Sequence, residues 1–243
     1  MSAVALRVEL IAHTPDPENL VATAARVCYA AADLDTLRQK VSAQDQSAFV
    51  RQLIETGHLS TVEHISFTFG VQGVSRALLA QLTRHRLASF SVQSQRYVQA
   101  GAGECFDYII PPAITALGPE AVETFQNQMQ TMQNWYDDWC AKLGGGNARE
   151  DARFVLPNAA GTRLLMTMNA RELMHLFALR CCNRAQWEIR AMAWEMLRLV
   201  TPICPTLFAE AGPGCVRGAC PEGPRTCKMA VEVRTKKALM NGQ

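Results

Sequence analysis

The sequence predicts an α+β fold in a single domain, with a mixed or antiparallel sheet packed against long helices. Three observations carry that prediction. Short stretches such as Val4–Leu10 and Ile65–Val71 alternate apolar with polar or small residues, the period of a half-buried strand. Far longer stretches, above all Pro119 to Lys142, keep helical spacing. Strands and helices also mix without the regular alternation of a parallel sheet, and no repeat, low-complexity segment or domain boundary interrupts the 243 residues.

Taken in order, Val4, Leu6, Val8 and Leu10 form the first strand. Thr14-Pro-Asp-Pro opens a helix to about Tyr29, with Pro17 tolerated in its first turn. A second helix, about Gln44 to Thr56, puts Phe49, Leu53 and Ile54 on one face, and Gly57 closes it. A polar loop to His64 precedes the Ile65–Val71 strand. A helix from about Val74 to His85 follows, then a strand at Gln95 to Gln99 and a short one at Asp107, ended by Pro111 and Pro112. After the long helix, Gly144-Gly145-Gly146 breaks the chain and Glu150 to Leu156 forms a short helix carrying Arg153. Thr162 to Met168 reads as a strand, with helices at about Ala170 to Cys182 and Ala185 to Val200. Residues 203–243 form a cysteine-containing tail, in which Val231 to Lys237 is one more strand or a disordered end.

Composition narrows the function classes. No apolar run approaches the roughly 20 residues of a membrane helix, and the N-terminus lacks the pattern of a secretory signal. Nine cysteines at irregular spacing do not suggest a disulfide framework; reduced thiols and a cytoplasmic location are expected. The tail cysteines Cys204, Cys215, Cys220 and Cys227 lack zinc-ribbon spacing, and His58, Glu63 and His64 close no ligand set, so no metal site is assigned. A formal net charge of +2 argues against broad nucleic-acid binding.

Against that background one segment stands out. Arg84-His-Arg-Leu-Ala-Ser-Phe-Ser-Val-Gln-Ser-Gln-Arg-Tyr97 gathers four basic side chains with three serines and two glutamines. No Asp or Glu lies between Glu63 and Glu104 to neutralise it. Guanidinium forks with hydroxyl and amide donors suit a phosphate-bearing ligand. A solvated basic face is the plainer alternative. The competing functional reading is a nucleic-acid-binding module that uses Arg84, Arg86 and Arg96 on phosphates, with Phe90 and Tyr97 near enough to stack on single-stranded bases. A second constellation begins at Asn169-Ala-Arg-Glu, a capping box that fixes a helix start and offers backbone N–H groups to an anion. His175 shares a face with Arg171, whereas Arg180, nine residues on, points the other way.

Arg84-His85-Arg86, seven residues, then Ser94 resembles the signature of flavin-dependent thymidylate synthases. The resemblance extends from about His58 to Arg190 and includes Gly57-His58, Met168-Asn-Ala-Arg-Glu-Leu-Met and Ala185-Gln-Trp-Glu-Ile. It implies the thymidylate synthase-complementing fold, a homotetramer with active sites at subunit interfaces, and reductive methylation of dUMP to dTMP. Methylenetetrahydrofolate would give the carbon, reduced FAD the hydride, and NADPH would re-reduce the flavin. By resemblance, His58, Ser60, Arg84, His85, Arg86, Asn169, Arg171 and His175 match flavin contacts. Gln81, Arg84, Ser94, Gln95, Arg96, Arg153 and Arg180 match dUMP contacts, and Arg180 matches the residue that ionises the uracil ring. Val92 stands where some members have glutamate, and His175 where some have asparagine. Hydride delivery straight to the pyrimidine would leave the cysteines dispensable.

Overall fold

The computed structural model describes residues 3–101 and 105–242, so Glu104 and Gln243 lie outside the described residues. Strand β1 spans Arg7–His13, three residues later than its alternation suggests, because the neighbouring strand pairs there. Helix α1 (Pro17–Val27) starts after Asp16, which adopts a left-handed conformation; Pro17 sits in the first turn as expected. Helix α2 (Leu34–Ser42) is absent from the sequence reading; Asp33 caps it by accepting the Thr36 backbone N–H at 2.9 Å. Helix α3 (Ser47–Glu55) ends before Gly57, whose φ of +77° is the left-handed turn that glycine adopts freely. The polar loop that follows is wound into a 3-10 helix, Leu59–His64.

Strand β2 (Ser66–Ser75) runs four residues beyond its expected end. Ser75 explains why: its hydroxyl accepts the Leu78 N–H at 3.0 Å, so helix α4 (Arg76–Leu82) begins only there. Gly73 sits inside β2 at φ +69°, and a Cβ on it would lie 1.9 Å from the Ala5 carbonyl oxygen. Only glycine fits that approach.

The expected strand at Gln95–Gln99 does not form. Strand β3 is instead Ala88–Val92, inside the basic segment, and residues 95–98 turn. Ser94 causes the turn: its hydroxyl accepts the Arg96 N–H at 3.1 Å and its carbonyl the Val98 N–H at 3.1 Å. At Asp107 the expected strand shrinks to an isolated bridge made by Tyr108 to Ala3 and Ala160.

Helix α5 (Pro112–Thr115) is short, and α6 (Pro119–Leu143) is the long helix the sequence predicts. Helix α7 (Ala148–Ala152) passes into a 3-10 turn, Arg153–Val155. Strand β4 (Gly161–Asn169) buries Thr162, Leu164, Met166 and Met168 by strict alternation. Helices α8 (Ala170–Arg180), α9 (Trp187–Val200), α10 (Pro205–Phe208) and α11 (Ala230–Met240) complete the chain. Helix α11 replaces the strand or disordered end expected at Val231–Lys237, and it is held by Arg234 donating to the Cys215 and Gly218 carbonyls. The four strands form one antiparallel sheet in the order β1-β2-β4-β3.

By contacts the chain forms two compact units. One comprises Met1–Arg7, Gly70–Arg84 and Phe90–Leu165; the other Val8–Phe69, His85–Ser89 and Met166–Gln243. Neither is a continuous stretch, so no linear boundary exists for the sequence to show. The first unit packs Phe106, Tyr108, Met129 and Ala160 into a core beside α6. Buried Gln133 on α6 accepts the Phe106 N–H at 3.0 Å and donates to the Ala100 carbonyl at 3.2 Å. The second unit centres on α8 and α9, where Phe208 meets Phe67 and Phe177 edge to face. No helix among the described residues is long and apolar enough to cross a membrane.

Candidate active site

The unit boundary falls between Arg84 and His85, so the expected site residues divide into two groups. Gln81, Arg84, Ser94, Gln95, Arg96 and Arg153 belong to the first unit; His58, Ser60, His85, Arg86, Asn169, Arg171, His175 and Arg180 belong to the second.

In the first unit, the turn made by Ser94 presents Arg96, whose guanidinium lies over the Tyr97 ring at 5.6 Å and pairs with Glu150 at 3.0 Å. Arg153 Nε donates to the Glu150 carbonyl at 3.0 Å, so α7 gathers both arginines. Ser94 and Gln95 line a cavity of about 120 Å³ with Arg76, Phe106 and Leu156. Arg76 was not anticipated from the sequence. One terminal nitrogen donates to the Gln93 carbonyl at 2.9 Å, while its buried Nε has no hydrogen-bond partner among the described residues. Burial, and then the charge of Arg153, lowers its pKa. Two guanidiniums held this way favour an anion as their shared partner. Gln81 turns back to the Ala77 carbonyl at 3.3 Å, and Arg84 is exposed two residues past the end of α4.

In the second unit, Asn169 caps α8 as its sequence predicts, accepting the Glu172 N–H at 2.9 Å. The Ala170 N–H is taken by the Ile65 carbonyl. The helix start therefore offers an anion fewer amides than an open terminus would. Only half of the capping box forms, because the Glu172 carboxylate is engaged elsewhere: it meets His85 Nδ1 at 2.8 Å. His85 is 4% exposed and Glu172 7%, whereas the sequence treats the segment around His85 as free of carboxylates. Arg180 donates from Nε to His85 Nε2 at 3.1 Å, and His175 packs edge-on to the same ring at 5.7 Å. Burial is the main reason the His85 pKa falls below its usual value, reinforced by Arg180 and His175 and opposed by the Glu172 bond.

Arg171 pairs with Glu63 on the 3-10 helix, which leaves His58 and Ser60 on the exposed side of that turn. Arg171 and Arg180 thus take different partners, Glu63 and His85, in keeping with their nine-residue spacing. His85, Glu172 and His175 place ligand atoms within 4.8 Å of one another. Both His85 nitrogens are already engaged, so a cation there would have to break one of those bonds. Glu150, Glu63 and Arg76, and Glu172 as the partner of His85, are what sequence reasoning missed. Glu172 alone left a signal, as an acid in a capping box on an otherwise apolar helix face.

Cys182, Cys215 and Cys220 line a cavity of about 220 Å³ with Arg180. All nine cysteines are free, and Cys181 is fully buried with its pKa pushed far up by desolvation. Its carbonyl receives the Trp194 indole N–H at 3.0 Å, a structural role.

Residues 9–206 match the family described as Thymidylate synthase complementing protein. The chain is 52% identical over 229 residues to a protein of Geobacter sulfurreducens named Flavin-dependent thymidylate synthase, covering 94% of this chain and 97% of that one. It is 51% identical over 233 residues to a protein of the same name from Nitratidesulfovibrio vulgaris, covering 91% and 94%. Among solved structures it resembles a UMP/dUMP methylase, PolB, from Streptomyces cacaoi bound with 5-Br dUMP. That likeness has a TM-score of 0.70 and 26% identity, over 84% of this chain and 93% of that one. On this evidence the chain belongs to the flavin-dependent thymidylate synthase family.

Proposed function

We propose that this chain methylates dUMP to dTMP as a single functional domain, taking its carbon from methylenetetrahydrofolate and its hydride from FAD that NADPH keeps reduced. Family membership supports the overall reaction, and one observation supports the role of the chain's own residues. That observation is Arg180 held through Nε against a buried, neutral His85.

Uracil's ring carbon becomes nucleophilic only as negative charge develops on the ring. A guanidinium fixed before reaction stabilises that charge without reorganising, which is preorganised electrostatic catalysis. Arg180 takes that role. Ser94, Arg96 and Arg153 hold the nucleotide phosphate, with Arg76 beside them, and Gln81, Gln95 and Arg84 complete the nucleotide contacts. Bound phosphate would replace Glu150 as the partner of Arg96, a carboxylate exchanged for another oxyanion.

The second unit's residues fit a flavin. Exposed Arg86, Arg171, His58 and Ser60 supply cations and donors for a diphosphate, Asn169 keeps its amide N–H free of its capping bond, and His175 offers a ring edge. His85 reaches the ligand from behind, since both its nitrogens have internal partners. When bound, the flavin supplies the hydride. The assembly is a homotetramer in the cytoplasm, and the residues facing two directions on α8 suit a site shared between subunits.

A nucleic-acid-binding module gains nothing from these observations, because Arg96 is drawn to Glu150 and the basic segment forms a turn and a short strand. Incubation with dUMP, methylenetetrahydrofolate and NADPH should yield dTMP, and omission of any one should abolish it. A protein that retains flavin and oxidises NADPH but makes no dTMP with all three present would contradict the proposal.

A further inference from the structure

The two partners of the His85 ring together assign its protons. A guanidinium has only donors, so the bond from Arg180 Nε at 3.1 Å requires a lone pair on His85 Nε2. The ring's proton then sits on Nδ1 and is donated to Glu172 Oε1 at 2.8 Å. An ionised carboxylate accepts and cannot donate, so it selects this tautomer. The opposite tautomer would set an N–H of His85 against the N–H of Arg180. Glu172 is buried, where a carboxylate without a partner would be costly, and its position eight residues before Arg180 fixes both to one rigid helix.

We propose that Glu172 is a positioning residue for Arg180, acting through the Nδ1–H tautomer of His85. Arg180 is anchored by the N–H nearest its chain, which sets the plane and direction of the guanidinium before substrate arrives. This rests on the reading of Arg180 as the group that acts on the uracil ring. The Arg180 bond to His85 Nε2 also distinguishes the arrangement from a cation site built on His85, Glu172 and His175, since a metal would sit beside the Arg180 guanidinium and displace that bond.

The test combines nitrogen-15 NMR of the histidine rings in the full chain without ligands and steady-state kinetics of Glu172→Ala, Glu172→Gln and Arg180→Ala. The His85 signals are identified by their loss in His85→Gln. In the parent protein at neutral pH, Nδ1 should carry the proton and Nε2 should not. Glu172→Ala should give mixed tautomers and a kcat lower by about 10–100-fold, with folate and dUMP KM changed much less. Glu172→Gln keeps an acceptor for Nδ1–H, so it should keep the tautomer and most of the turnover. Its acid limb in the pH profile of kcat should move to lower pH, because the charge that favours protonated His85 is gone.

A parent ring protonated on Nε2 would overturn the proposal. So would an Ala variant with unchanged tautomer and turnover while Arg180→Ala is inactive. Full turnover in Arg180→Ala would instead overturn the underlying reading of Arg180. If Glu172→Ala does not fold, the parent spectrum and the Gln variant decide the matter.

Discussion

Glu172 and Arg180 lie 87 and 95 residues from His85 along the chain, yet the three side chains form one hydrogen-bonded line in the second unit. Because burial lowers the His85 pKa first of all, the folded protein binds fewer protons than the unfolded chain just below pH 6.5. Stability should therefore fall as pH drops from about 6.5 to the folded value, whereas kcat should hold over that window and fall only as pH passes below the folded value. His85→Gln should flatten that fall in stability, as urea titrations at several pH values would measure. Cys181 shows the opposite case, a thiol that burial keeps protonated and inert. Cys181→Ala should keep turnover within about threefold once folded, although the buried site makes some loss of stability expected. Loss of turnover in a folded variant with bound flavin would reopen a role for the thiol. Of these residues the sequence exposed Arg180 and His85 through resemblance. Their link through Glu172 was hidden, because a capping box explains that glutamate locally and gives no reason to look farther.

Among the elements, strong local signals were legible and competing ones were not. Ile65–Val71 and Thr162–Met168 alternate cleanly, and β2 and β4 follow; the long helix and Gly57 behave as their spacing requires. Gln95–Gln99 lacks an apolar face, and the Ser94 hydroxyl captures the Arg96 amide before a ladder can. Ser94→Ala should loosen that turn and raise the KM for dUMP by about tenfold, with a smaller change in kcat. An unchanged KM would remove Ser94 from the phosphate contacts.

Helix α11 was illegible for a different reason: its burial comes from tertiary contacts, and Val233 and Lys237 are its buried positions. Lys237 is 2% exposed, its Nζ has no hydrogen-bond partner among the described residues, and burial pulls its pKa from 10.5 to about 8. At pH 7 that shift corresponds to a penalty on the order of 3 kcal/mol. Stability should rise from about pH 8 toward 10.5, since the unfolded chain binds the extra proton across that window. Lys237→Met should stabilise the protein by about 1–3 kcal/mol at pH 7 and abolish that rise in thermal melts.

At the scale of the whole molecule, two units built from interleaved stretches explain why composition and patterning suggested one domain. The α+β class and the antiparallel sheet follow from strand periodicity, because alternation reports burial wherever the chain later folds. Which side chains meet across the chain does not follow, because Glu150, Glu63 and Arg76 reach the site residues through packing that no local pattern encodes. On the function proposed, this architecture holds a flavin and puts it to work on dUMP. The most direct test is the visible absorption spectrum of the purified protein, read together with NADPH oxidation as dUMP is titrated in. A flavin spectrum and NADPH oxidation that responds to dUMP are predicted. A colourless protein that cannot be reconstituted with FAD, or a flavoprotein indifferent to dUMP, would contradict the claim.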